Sequence, residues 1–210
     1  MDLADVVARI EAGEWLPTEP WYLTAPQPGP RAAAVVAFPG VSVIAADVDP
    51  AWVAAQLPEE DLSAPLNPPF LRALEEKVGR RVNNIDIVLM TARLPGPPPL
   101  TLRELTGSDH PRVRRAHRYR DDVRVWETES GRGVLILGRG LAGRWEVAVE
   151  VAPQARDRGV GRTLALAARH LVPEERPLWA QIAPGNAASV RAFLAAGYDP
   201  VGAEALLVSR

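Results

Sequence analysis

The sequence contains no cysteine, which excludes a disulfide scaffold, a thiolate metal site and a cysteine nucleophile. Lysine is almost absent, since Lys77 is the one lysine among 24 basic residues. Arginine is therefore the ordinary basic residue of this chain, and a cluster of arginines is weaker evidence of function than it is elsewhere. No apolar run is long enough to span a bilayer and no basic leader is visible, so we expect a cytoplasmic protein without membrane contact.

An excess of charge of either sign is also missing. The 210 residues carry a formal charge of −2, and this balance argues against nucleic acid as a partner. One basic run, residues 112–120, has helical spacing and is preceded by Ser108 or Asp109 as a candidate cap. We interpret it as a solvated helix, with a phosphate-facing patch as the alternative. With 47% hydrophobic residues, the chain can bury a core.

Residues 95–99, four prolines and a glycine, divide the chain because consecutive prolines join neither a helix nor a central strand. We predict an N-terminal α/β region over residues 1–94, a proline-rich linker over 95–99 and a second domain over 100–210. Strands followed by helix, strand, helix and short C-terminal strands predict the α/β class, with a mixed sheet and helices on its faces.

Residues 156–162 are the most informative segment. They follow a strand-like run, 145–151, and precede a helical run, 163–171. A glycine-rich turn at a helix start exposes backbone N–H groups beside the positive end of the helix dipole, and three arginines add cationic charge. We predict an anion cradle whose best ligand is a pyrophosphate. The alternative is a loop whose glycines merely turn the chain.

Residues 138–143 formally match the dinucleotide-binding pattern G-x-G-x-x-G. Such a site needs a helix directly after it, because the helix N-terminus holds the pyrophosphate. Here residues 145–151 alternate like a strand. We therefore interpret the motif as a hairpin turn and do not expect a nicotinamide cofactor.

Two motifs in this order resemble the GCN5-related N-acetyltransferase (GNAT) superfamily. Arg156, Gly159 and Gly161 match its acyl-CoA signature. Asn186 opens the second motif, which ends with Tyr198 where the family usually has phenylalanine. A helix and a strand are predicted between the two motifs, as the family requires.

The resemblance covers residues 100–210 and implies a GNAT-like acyl-CoA N-acyltransferase fold. Residues 1–94 would be an additional α/β part or a degenerate GNAT-like half, and their role as a cleft wall or a dimer contact is left open. The implied activity is N-acetyl transfer from acetyl-CoA, without a metal, to a small-molecule or peptide amine. The alternative is an inactive acyl-CoA-binding module that serves as a sensor or interaction protein. A homodimer is one further arrangement left open.

The resemblance also assigns residues to acyl-CoA: Val151, Arg156, Arg158, Gly159, Val160, Gly161, Arg162 and Asn186. The backbone of Val151 would meet the pantetheine arm, as would the side chain of Asn186, although the position of Asn186 equally fits a helix N-cap. Asp157 stands where the family usually has glycine. Its carboxylate would weaken anion binding unless it points outward or pairs with an arginine.

For catalysis, the resemblance implies a carboxylate on the strand over residues 145–151. Alternation puts Glu146 and Glu150 on one face, and both are candidate general bases. A bulge in the strand would change which of them faces the cleft, and the alternative is that both face solvent. His117 and Glu127 are weaker candidates.

The acid that protonates the leaving thiolate is missing. The family commonly has a tyrosine where this chain has Phe193. We expect the nearby Tyr198 to pack in the core. A thiol pKa of about 8.5 makes thiolate a tolerable leaving group without an acid, so the cofactor site is better supported than the chemistry.

Overall fold

The structure, a computed structural model, describes residues 1–14, 16–58, 61–107 and 110–209. The chain divides into two compact units, Met1–Val88 together with Val201–Arg210, and Leu89–Pro200. Each unit combines helices with a sheet of parallel and antiparallel strands, so the predicted α/β class is confirmed. No helix among the described residues is long and apolar enough to cross a membrane.

The helices are α1 (Leu3–Glu11), α2 (Pro50–Gln56), α3 (Pro68–Val78), α4 (Pro111–Tyr119), α5 (Val160–Leu171) and α6 (Ala187–Leu194). The strands are β1 (Tyr22–Ala25), β2 (Ala32–Phe38), β3 (Val41–Ala45), β4 (Arg80–Thr91), β5 (Leu102–Glu104), β6 (Asp121–Thr128), β7 (Gly133–Arg139), β8 (Trp145–Val151), β9 (Leu178–Ile182) and β10 (Asp199–Ser209).

The first unit has a sheet packed against helices α2 and α3. β1 runs parallel to β3, and β2 pairs antiparallel with both β3 and β10. Helix α2 begins at Pro50 because the side chain of Asp49 accepts a hydrogen bond from the N–H of Ala51. Phe70 of α3 lies in the same buried cluster as Ile44 of β3, so the helices cover one face of this sheet.

The C-terminal strand differs from its prediction. We expected residues 201–210 to complete the second domain as short strands. Instead β10 is one strand, paired with β2 from Ala203–Ala37 to Val208–Ala32, and its residues from Val201 onward belong to the first unit. Local alternation predicts that a segment is a strand, but it does not identify a partner so distant in sequence.

The proline-rich residues 95–99 do not mark the boundary, which lies after Val88 inside β4. The N–H of Leu94 donates to the carbonyl oxygen of Arg169 at 2.8 Å. Nδ1 of His170 lies 3.0 Å from the carbonyl oxygen of Pro95. The segment is therefore packed along α5 within the second unit, through contacts that composition does not predict.

The second unit has helices on both faces of its sheet. Strands β5 to β8 pair antiparallel in sequence order, and β9 joins β8 in parallel. Val113 of α4 packs with Ile136 on one face. On the other face α5 comes so close that a Cβ at Gly133 would lie 2.8 Å from Leu164, which explains the glycine there.

Strands β7 and β8 form the hairpin predicted at residues 138–143. The N–H of Gly140 donates to the carbonyl oxygen of Arg144 at 2.9 Å. Pairing then runs without a shift from Arg139–Trp145 to Gly133–Val151. Among these described residues, the β7–β8 pairing therefore contains no bulge that would change which side chains of β8 face the cleft.

Strands β8 and β9 separate soon after they meet. Trp145 pairs with Leu178 and Glu146 with Trp179, and their register ends there. Because β8 continues to Val151, its second half has no pairing with β9, and the two strands diverge towards the start of α5.

Candidate active site

The N-terminus of α5 is not capped by a side chain. The helix begins at Val160 after Gly159, whose φ of +78° favours glycine. The N–H of Thr163 donates to the carbonyl oxygen of Gly159 at 3.0 Å, so the N–H groups of residues 160–162 come before the first N–H group that donates within the helix. With the helix dipole behind them, these groups have the geometry of the predicted anion cradle, one turn earlier than the predicted helix start.

The cradle opens into a cleft of about 560 Å³, walled by the end of β8, the turn at residues 156–162 and α6. Gly161 lies where two walls approach each other. A Cβ at this position would lie 3.7 Å from Val151 and 4.0 Å from Ala192. The fold would accept that methyl group at ordinary contact distances, but the methyl group would occupy the cleft.

The cleft contains every residue that the sequence assigned to acyl-CoA except Arg158, which is exposed and lies outside its walls. Nε of Arg156 donates to the carbonyl oxygen of Val151 at 3.3 Å. This hydrogen bond joins the turn to the end of β8. The backbone oxygen that we expected to meet pantetheine therefore already has one donor.

Arginine dominates the charge of the cleft. Its ionisable residues are Arg112, Arg156, Arg162, Arg191, Glu150 and Asp157. Asp157 has a φ of 60°, a left-handed conformation that aspartate adopts more readily than most residues. Asp157 is among the residues that line the cleft.

Asn186 caps α6. Its Oδ1 accepts a hydrogen bond from the N–H of Ser189 at 3.2 Å, so the N-cap interpretation is confirmed. Asn186 also lines the cleft. Its contact with a pantetheine arm remains a prediction.

The alternation predicted for β8 is present, because Glu146 and Glu150 both face α4. Oε2 of Glu150 accepts a hydrogen bond from Nε of Arg112 at 2.6 Å, and about 40% of each side chain is exposed. The hydrogen bond from Arg112 lowers the pKa of Glu150, and the charges of Arg112, His110 and Arg156 act in the same direction against a partial burial that raises it. Glu150 is thus an ionised carboxylate on the wall of the cleft.

Glu146 has a different environment. Its carboxylate is buried and accepts hydrogen bonds from Nε of Arg120 and Nε of Arg144, each at 2.9 Å. Burial alone would raise the pKa of Glu146, but the charges and hydrogen bonds of Arg144 and Arg120 outweigh it and lower the pKa. Both oxygens are occupied and Glu146 does not line the cleft, so these contacts oppose its expected role as a base. The sequence did not indicate that Glu146 would bind both Arg120 and Arg144, because these two arginines lie on different elements.

The aromatic residues at the end of α6 are part of the core. Phe193 is buried and lines the cleft with its ring 4.9 Å from that of Tyr198, in an edge-to-face arrangement. The Tyr198 hydroxyl donates to the carbonyl oxygen of Ala165 at 3.0 Å. Burial raises the pKa of Tyr198. The expected core position of Tyr198 is therefore confirmed, and its hydroxyl is committed to α5.

The weaker base candidates lie outside the cleft. His117 is exposed on α4, and Oε2 of Glu127 pairs with Arg103 at 2.7 Å. The predicted caps of α4, Ser108 and Asp109, lie outside the described residues. Nδ1 of His110 accepts a hydrogen bond from the N–H of Arg112 at 3.2 Å and caps this helix. Within the described ranges, no group of three acidic or histidine side chains is placed to hold a metal ion.

Comparisons with known proteins give structural similarities only. No protein-family model and no curated protein matches the sequence. Among solved structures, a GCN5-related N-acetyltransferase from Kribbella flavida matches with a TM-score of 0.44 and 16% identity, over 67% of this chain and 64% of that one. A Drosophila protein matches with 0.45 and 16%, over 68% and 58%. A protein assigned to the GNAT family of acetyltransferases, from Novosphingobium aromaticivorans, matches with 0.41 and 18%, over 63% and 68%.

Two of these three proteins are described as members of the GNAT family, which the sequence motifs of this chain resemble. The match spans less than two thirds of the first two chains.

Proposed function

We propose that the second unit transfers an acyl group, in the simplest case acetyl, from acyl-CoA to an amine. The observation that carries the proposal is the uncapped N-terminus of α5, which opens into an arginine-rich cleft leading along β8 to Glu150. Backbone N–H groups at a helix start suit a pyrophosphate, and a cleft of about 560 Å³ falls in the range of small-molecule sites.

The divergence of β8 from β9 supports binding of the pantetheine arm along the second half of β8. The second half of β8 lacks strand pairing with β9, so its backbone groups on that edge are available to an extended ligand, as in strand addition. Val149 to Val151 form this part of the cleft wall.

In the proposed reaction, an ammonium group loses a proton to Glu150, directly or through water, and becomes a nucleophilic amine. Its nitrogen attacks the thioester carbonyl carbon, so that a C–N bond forms and the C–S bond breaks. The amine nitrogen loses a second proton, and the departing thiolate takes up one proton. The net products are the amide, the free thiol and one proton.

A second candidate function is acyl-CoA binding without turnover. Phe193 supplies no acid at the cleft, and the Tyr198 hydroxyl is bonded to Ala165. An assay of thiol release from acetyl-CoA, with and without amine acceptors, separates the two. Acceptor-dependent release supports the transferase, whereas binding without release supports the module.

A further inference from the structure

A second cavity lies between α4 and β8, and none of the residues assigned to acyl-CoA lines it. Its volume is about 110 Å³, which is enough for several water molecules or one small polar group. Helix α4 and strand β8 both contribute to its lining, which includes Arg112, Arg115, Tyr119, Arg120, Glu146 and Ala148. A cavity of this size holds a small polar group rather than a whole acceptor.

The arginines of this cavity are unequally neutralised. Arg120 pairs with Glu146 at 2.9 Å, and Arg112 pairs with Glu150 at 2.6 Å. Among the described residues, Arg115 makes no ion pair, and its guanidinium lies 5.4 Å from the centre of the Tyr119 ring. Arg115 is therefore the arginine of this cavity that has no ion-pair partner among the described residues, and a guanidinium is the group that best fits a planar carboxylate.

The cavity adjoins the proposed transfer site. Arg112 lines both the cavity and the larger cleft. Ala148 of the cavity and Glu150 of the cleft are alternate residues on one face of β8, which places them about 7 Å apart along the strand. A short molecule anchored in the cavity would reach Glu150 with its other end.

We propose that the acceptor is a small amine that also carries a carboxylate, as an amino acid does, and that Arg115 binds the carboxylate while the amine faces Glu150. This inference rests on the proposed transferase function. One unneutralised guanidinium matches a single negative charge better than a phosphate group of about −1.5 to −2. The same arginines disfavour polyamines and other polycationic acceptors, because like charges repel.

The test uses the full chain and matched acceptors. Thiol release from acetyl-CoA is measured with the standard amino acids, with the corresponding amino acid amides, which lack the carboxylate, with O-phosphoethanolamine and with spermidine. We expect at least one amino acid to be acetylated with a kcat/KM about tenfold or more above that of its amide. O-phosphoethanolamine and spermidine should be poorer still.

Two variants locate the effect. Arg115→Gln should raise the KM of the preferred amino acid about tenfold or more while kcat and the KM of its amide change little. Arg118→Gln is the matched control, because Arg118 also contacts the Tyr119 ring, at 5.6 Å, but does not line the cavity. Arg118→Gln should leave both KM values unchanged.

Each result has a separate meaning. If amides or spermidine are acetylated as efficiently as amino acids, if O-phosphoethanolamine is preferred, or if the protein binds acetyl-CoA but acetylates no amino acid, the carboxylate proposal is overturned. If Arg118→Gln raises KM as much as Arg115→Gln does, the assignment to Arg115 is overturned. A protein that does not bind acetyl-CoA at all contradicts the transferase itself, which calorimetry detects without any acceptor.

Discussion

Oε2 of Glu150 lies 2.6 Å from Nε of Arg112, and this pair stands where the larger cleft meets the smaller cavity. Strand β8 supplies the carboxylate and helix α4 supplies the guanidinium. The pair lowers the pKa of Glu150 beside the site at which we propose that an amine is acylated. We therefore propose that Glu150 accepts the proton and that Glu146 has a structural role.

Glu150→Gln should lower kcat by about 10²- to 10⁴-fold, because a positioned general base contributes about that much. Binding of acetyl-CoA should persist, since the cradle lies on α5. Steady-state kinetics and calorimetry measure the two effects. Glu127→Gln is the control, as Glu127 lies outside the cleft. Full activity of Glu150→Gln would remove the base assignment.

Arg112→Gln should raise the pKa of Glu150 towards its ordinary value of 4.5. The hydrogen bond from Arg112 is the largest cause of the lowered pKa, and its loss destabilises the carboxylate relative to the acid. NMR titration of the Glu150 carboxyl group measures this change. An unchanged pKa would mean that the pair does not control the ionisation of Glu150.

Glu146→Gln should destabilise the fold by about 3–5 kcal/mol at neutral pH, because it leaves the buried guanidinium groups of Arg120 and Arg144 without their carboxylate. The pKa of Glu146 is lowered in the folded state, so the carboxylate stabilises the fold above its unfolded pKa and loses this effect as the pH falls through the folded pKa. The difference between the two proteins should accordingly shrink in acid.

Denaturant unfolding at several pH values measures this difference in stability. Glu150→Gln is the control on the same strand face, and it should cost less because its pair is half exposed. Equal stability of Glu146→Gln and the wild type would show that the buried pair contributes nothing to stability.

Gly161→Ala should weaken acetyl-CoA binding about tenfold or more while the fold is kept. The new methyl group meets Val151 and Ala192 only at ordinary contact distances, and alanine favours a helix over glycine, but the group stands inside the cleft, where overpacking costs about 1–3 kcal/mol. Calorimetry and thermal unfolding measure the two quantities. Gly185→Ala is the control, since nothing lies near that position. Unchanged affinity would place the ligand elsewhere.

Asn186→Ser and Asn186→Ala separate the two roles of Asn186. Serine keeps an N-cap and alanine does not, so Asn186→Ala should cost about 0.5–2 kcal/mol of stability and Asn186→Ser much less. If the amide also contacts pantetheine, both variants should bind acetyl-CoA more weakly. Retained affinity in Asn186→Ser would restrict Asn186 to capping.

The local features of the site were predictable from the sequence. The turn at residues 156–162, the cap at Asn186 and the alternation of Glu146 with Glu150 each depend on neighbours within a few positions, where backbone geometry follows from residue type. The hairpin at residues 138–143 was predictable for the same reason.

The charge pairs and the pairing partner of the C-terminal strand were not predictable from the sequence. Arg112 and Glu150 are 38 positions apart, and Arg120 and Glu146 are 26 apart. Their contacts depend on how α4 docks on the sheet, which no local pattern specifies. The sequence predicts a solvated helix over residues 112–120, yet Arg112 and Arg120 determine the environments of Glu150 and Glu146. The pairing of β10 with β2 likewise depends on tertiary packing and not on a local sequence pattern.

The central claim is that the cleft at the start of α5 binds acyl-CoA. Calorimetric titration of the full chain with acetyl-CoA, and with CoA and NADH for comparison, tests it most directly. The account predicts micromolar binding of acetyl-CoA and no binding of NADH. Absence of binding by both acetyl-CoA and CoA would contradict it, and residues 156–162 would then be only a glycine turn between a strand and a helix.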